Sequence, residues 1–108
     1  MSDEHLHRAE SAVKRAENIS ADKKVELLGL LSRLKTAIGD VSQMHAQDAQ
    51  RVARLAEALA REATLKKPNQ LEKALHKLKQ SVEKFEASHP NLVITVNDFA
   101  TLLAEMGI

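Results

Sequence analysis

The sequence predicts an all-α protein of four helices, bundle-like or coiled-coil-like, with an unusually long second helix. Three observations predict it. Ala, Leu, Glu, Lys and Arg dominate the composition, and all five are strong helix formers. Three glycines and two prolines punctuate 108 residues, too few for repeated strands joined by tight turns. Apolar residues recur at alternating spacings of three and four along most of the chain, which places them on one face of a helix. The length fits a single domain over residues 1–108.

The first helix is expected over about 3–18. Ser2 suits its N-cap, and Asp3 and Glu4 place negative charge in the first turn, where the helix dipole favours it. Leu6, Ala9, Val13 and Ala16 form its apolar stripe. A helix this short is marginal alone and needs a partner. Asn18, Ile19 and Ser20 read as a break, with Ser20 capping the next helix.

The second helix is expected over about 21–63. Leu27, Leu31, Leu34, Ile38, Val41, His45, Asp48, Val52, Leu55 and Leu59 fall on one heptad seam. Gly39 and Asp40 offer a possible turn, which would split the segment into a hairpin. The unbroken seam phase across Gly39 favours a continuous helix about 60 Å long at 1.5 Å per residue, longer than a compact domain of this size. Such a helix would project and require a partner.

Residues 64–68 read as an internal linker. A third helix is expected over about 70–88, capped by Asn69 with Glu72 three residues on, and carrying Leu71, Leu75, Leu78, Val82 and Phe85. His89 ends it, because a residue before proline is driven out of the α region. Pro90 suits the first position of a fourth helix over about 90–106. Leu92 to Val96 is rich in β-branched residues and would suit a strand. Leu92, Val96, Phe99, Leu103 and Met106 nevertheless keep helical spacing, and a lone strand would have no partner, so helix is expected, closed by Gly107.

The string Val82-Glu83-Lys84-Phe85-Glu86-Ala87-Ser88-His89-Pro90, followed by Leu92 and closing on Met106-Gly107-Ile108, resembles a family of short bacterial proteins catalogued only as a domain of unknown function. The resemblance is close over residues 71–108 and loose over 6–34. The stretch 38–67 is longer than the connection the resemblance implies. It implies an N-terminal helical hairpin, a further helix, the Phe-Glu-x-x-His-Pro element, a last helix ending in Gly-Ile, and a bacterial source. It implies no activity and no functional residue.

Composition bounds the function from another side. The formal net charge is +1 and there is no cysteine. The first argues against a dedicated nucleic-acid or membrane-surface protein, and the second excludes disulfides and cysteine zinc sites. No apolar run reaches the roughly 18 residues of a spanning helix, and the polar start lacks a signal region, so a cytoplasmic protein is expected.

Among candidate sites, His45 and Asp48 stand at seam positions otherwise held by Leu, Ile or Val. Three readings are open: a buried polar layer that fixes helix register, a zinc site of two His and two Asp across a symmetric dimer, or a solvated or broken stretch. His5 and His7, two residues apart, do not share a helix face and read as a fraying terminus, the alternative being a surface pair of His7 with Glu4 or Glu10. Lys73, Lys77 and Lys84, with His76 and Gln80 and preceded by Lys66 and Lys67, form a mildly basic stripe that Glu72, Glu83 and Glu86 dilute. His89 has no nucleophile pattern beside it and reads as a helix-junction residue. No catalytic, cofactor or metal residue is assigned.

The expectation is therefore a non-enzymatic structural or protein–protein interaction module. It would self-associate as a homodimer through Leu27, Leu31, Leu34, Ile38, Val41, Val52, Leu55 and Leu59. A nucleic-acid-associated protein using the basic stripe is the alternative, and a metal-binding protein the third reading.

Overall fold

Asp40 decides the architecture. Its backbone N–H turns back onto the carbonyls of Thr36, Ala37 and Ile38, and Val41 N–H bonds to Ile38 O at 3.1 Å. The α-helical ladder closes into a tighter terminal turn there. The expected continuous helix over 21–63 is thus two helices, and the unbroken heptad phase is not evidence of continuity. Each helix needs a buried face of its own, and the two faces happen to stay in step.

The computed structural model describes residues 2–41, 45–65 and 68–105, with the side chains of 2–3, 62–65 and 68–71 excepted. Five α-helices are present among them, α1 Ser2–Arg15, α2 Ala21–Gly39, α3 Ala46–Leu65, α4 Pro68–Ser81 and α5 Pro90–Glu105, with a short 3-10 turn at Glu83–Phe85. No strand occurs among the described residues. The all-α class is as expected, and the count of four helices becomes five. Lys66 and Lys67 of the linker, and the Met106 and Gly107 close, lie outside the described residues, as do the side chains of Leu71 and Asn69. Because α4 begins at Pro68, Asn69 falls inside its first turn rather than at its cap. Proline suits that first position, since the N–H it lacks would be unbonded there anyway.

Two junctions follow local rules. Ser20 is extended and its Oγ accepts from Lys23 N at 3.3 Å, capping α2. Lys24 Nζ reaches back to Lys14 O at 3.1 Å, tying the start of α2 to the end of α1. At the other end, α4 stops at Ser81, whose hydroxyl donates to Leu78 O at 2.6 Å. Phe85 follows in the 3-10 turn, and His89 supplies the carbonyl that accepts from Leu92 N at 3.1 Å, the first bond of α5.

The helices close a ring in the order α1, α2, α5, α4, α3, with α1 lying widely on α3 and α2 on α5. Leu6, Ala9, Val13 and Ala16 are buried, as are Leu92, Val96, Phe99 and Leu103, so both outer stripes fall where their spacing put them. The β-branched run of α5 is helical because its alternate faces have unlike neighbours: Thr95 and Val96 are buried, Ile94 is exposed. The radius of gyration is 12.7 Å and the longest extent 38 Å, far short of the roughly 60 Å of an uninterrupted 21–63 helix.

The expected interaction seam goes into this core. Leu27, Leu31, Leu34, Ile38, Val52 and Leu59 are buried within the single chain, and Val41 and Leu55 pack against them partly buried. A projecting helix would have left these side chains for a partner. Here α1 and α5 cover those of α2, and α1 and α4 cover those of α3, so the seam packs inside the single chain.

Two outcomes follow. Phe99→Ala should destabilise the fold by about 3–5 kcal/mol, the usual cost of emptying a fully buried aromatic site, read by chemical denaturation. An added Cβ at Gly39 meets open space, so Gly39→Ala should leave the fold intact and raise its stability by up to about 1 kcal/mol. A fall in stability would show that the break requires glycine.

Candidate functional site

The best-organised polar cluster lies where α1 meets α3. Glu57 is only 7% exposed although it is charged. Its Oε1 is 2.7 Å from His5 Nδ1. A carboxylate only accepts, so Nδ1 carries the proton of that bond. Arg8 approaches the same oxygen at 3.9 Å, and Arg61, one turn along α3, approaches Oε2 at 3.5 Å. Beside it, Lys35 of α2 reaches Glu10 of α1 at 2.9 Å. His5 is therefore tied across helices and is not part of a fraying terminus, while His7 is exposed. The hydrogen bond from His5 and the longer ion pair with Arg8 both come from α1, so the cluster pins α1 to α3.

The expected His45 and Asp48 layer does not form. His45 is exposed at the start of α3, and Asp48 is half-buried with its Oδ1 3.0 Å from Lys84 Nζ. The break after Gly39 puts both residues at a helix N-terminus, the most solvated part of the turn. The His45 ring meets the edge of Phe85 with centroids 6.1 Å apart, and His89 meets Phe85 at 5.9 Å. His89 is thus a junction residue, acting through its backbone and its ring. No group of three or more His, Cys, Asp or Glu able to hold a metal occurs among the described residues.

Lys73, His76, Lys77, Gln80 and Lys84 are exposed, so the stripe is a solvated face, and Lys66 and Lys67 lie outside the described residues. A hollow of about 320 Å³ opens between α2 and α5, lined by Ser32, Arg33, Thr36 and Asp40 on one side and Asn91, Ile94 and Thr95 on the other. Arg33 and Asp98 pair across it at 3.7 Å. This hollow is a surface groove without a nucleophile–base pair. No helix among the described residues is long and apolar enough to cross a membrane.

Sequence reasoning missed two features. Glu57 flanks an alanine face that a search for Leu and Val passes over. The outward line of Gln47, Arg51, Arg54, Ala58 and Arg61 on α3 was hidden inside the seam reading, although its four-three-four-three spacing was available.

An all-helical fold, with a core running through every helix, defines a small helical domain. The chain matches the family described as Domain of unknown function (DUF4404) over residues 27–108 and belongs to it. No curated protein and no solved structure matches the chain. Residues 27–108 begin nearly two turns into α2, so α1, which supplies Leu6, Ala9, Val13 and His5 to the contacts above, precedes the matched region.

Replacing Glu57 tests the pin. Glu57→Ala should cost about 1–3 kcal/mol, the range for removing a buried, charge-assisted partner. Asp48→Ala breaks only the exposed pair with Lys84 and should cost less than about 1 kcal/mol. Equal losses in thermal denaturation would contradict the distinction drawn between them.

Proposed function

We propose that the protein is a non-enzymatic interaction module that self-associates as a homodimer, and that the contact lies on the outer face of α2 beside α5. The single observation that carries this is an uncharged exposed stripe in a chain with 29% charged residues. Val25, Gly29, Ser32 and Thr36 recur at four, three and four on the solvent side of α2. Val25 is 71% exposed, and Ile94, 52% exposed, rises across the groove from Ser32 and Thr36. These are the exposed large hydrophobic residues among those described.

The physical support is twofold. The centre of a protein interface is depleted of charge and ringed by polar groups, and here the paired Lys23–Glu26 and Arg33–Asp98 flank the stripe. Gly29, inside a helix, costs about 1 kcal/mol against alanine, and an added Cβ there meets nothing within 4 Å. Nothing within the chain requires glycine at that position, whereas the close approach of a second helix would. A two-fold contact of α2 on α2 is self-complementary, the commonest arrangement for a homodimer.

Sedimentation or light scattering tests this. The wild type should be a dimer at micromolar concentration. Val25→Glu with Ile94→Glu should be monomeric with unchanged helix content, since both sites are solvent-exposed in the single chain. A wild type that stays a compact monomer overturns the reading. So does a dimer that the double replacement leaves untouched.

A further inference from the structure

We propose that the outer face of α3 and α4 binds the phosphate backbone of double-stranded nucleic acid without reading its sequence. The proposal is independent of self-association, because α3 and α4 lie across the ring from the outer face of α2.

The near-zero net charge hides a segregation. Residues 46–81 hold eight of the sixteen Lys and Arg but only four of the fifteen Asp and Glu. The hairpin of α3 and α4 is thus positive and the rest of the chain negative. Such an asymmetry is the electrostatic footprint of a polyanion partner. Folding sharpens it by disposing of carboxylates. Glu57 is turned inward to His5 and Arg8 of α1, and Asp48 is held by Lys84. Glu72 stays exposed on α4 and borders the same shallow hollow as Lys73 and Lys77, and the side chain of Glu62 lies outside the described residues.

Four cations remain. Arg51, Arg54, Lys73 and Lys77 are exposed and have no ion-pair partner among the described residues. The contact from Lys84 to Asp48 fixes the geometry. It shows that the start of α3 lies beside the end of α4, so the two helices run antiparallel. Lys73 and Lys77, one turn apart, share one exposed flank of α4. Arg51 and Arg54 lie on the outward side of α3, opposite the buried Ala53 and Ala56. The result is two short cationic rows, each spanning about one helical turn, on axes about 8–10 Å apart.

The surface chemistry selects the partner. Single-stranded nucleic acid is held by stacking bases on aromatic rings. This chain has no Trp or Tyr, and both phenylalanines are buried, so phosphate contact is what remains. Arginine forks suit phosphate oxygens in a bidentate manner. A membrane surface would call for apolar side chains beside the cations, whereas Lys73, His76, Lys77, Lys79 and Gln80 present only polar ends.

The test is fluorescence anisotropy with a labelled duplex of mixed sequence, titrated with the full chain at a series of salt concentrations. Four phosphate contacts predict a slope of log affinity against log salt of about −3.6, or about a hundredfold weakening between 50 and 200 mM salt. Arg51→Gln with Lys77→Gln should roughly halve the slope, and adding Arg54→Gln and Lys73→Gln should abolish binding. Lys14→Gln with Lys23→Gln, which removes two charges from α1 and α2, should leave affinity within about twofold. Circular dichroism of each variant confirms that the fold is kept, as these side chains are exposed. The proposal is overturned by absent binding of the wild type at about 50 mM salt. It is equally overturned by a quadruple variant that binds like wild type, by tighter binding to single strands, or by binding to anionic phospholipid vesicles without binding to duplex.

Discussion

Ala49, Ala53, Ala56 and Ala60 project only methyl groups from α3, and all four are buried. A helix face that small lets α1 approach closely, and α1 answers with Leu6, Ala9 and Val13. Dispersion falls off steeply with separation, so many close small contacts hold two helices as firmly as fewer large ones. The seat of α1 on α3 in turn requires α3 to fold back, which requires the break after Gly39. With that break, the leucines of α2 are covered by α1 and α5. Without it they would face water or another molecule.

The same seat governs the charges. Bringing α1 onto α3 carries Glu57 out of solvent, and a buried carboxylate is tolerable only when its oxygens are satisfied. His5, Arg8 and Arg61 satisfy them. One consequence is structural, since α1 is pinned by specific polar contacts as well as by apolar area. The other is electrostatic, since Glu57 engages His5, Arg8 and Arg61 and has no ion pair with Arg51 or Arg54.

These two consequences meet in the functional reading. The faces left to solvent are unlike. The outer side of α2 is uncharged over four helical positions, while the outer side of α3 and α4 is cationic. An uncharged face suits another protein surface and a cationic one suits a polyanion. Membership of a family of unknown function is consistent with either surface and selects neither.

The apolar spacing in the sequence was enough for the helical class, for the stripes of α1 and α5, and for the Ser20 and Pro90 junctions, because each depends on residues within a turn or two of one another. The seam of Leu27 to Leu59 was legible as a buried surface but not as an internal one. Heptad spacing states that a face is covered and is silent on whether the cover comes from the same chain. His45 and Asp48 looked anomalous only while α2 and α3 were read as one helix. Their exposure follows from a break set by backbone hydrogen bonds at Asp40, and Gly39 marks that break only weakly. Burial of Glu57 and the grouping of Arg51 and Arg54 with Lys73 and Lys77 join residues of separate helices. Local periodicity determined which faces are apolar. Only the tertiary structure decided which faces meet, because that depends on how closely helices distant in sequence can pack.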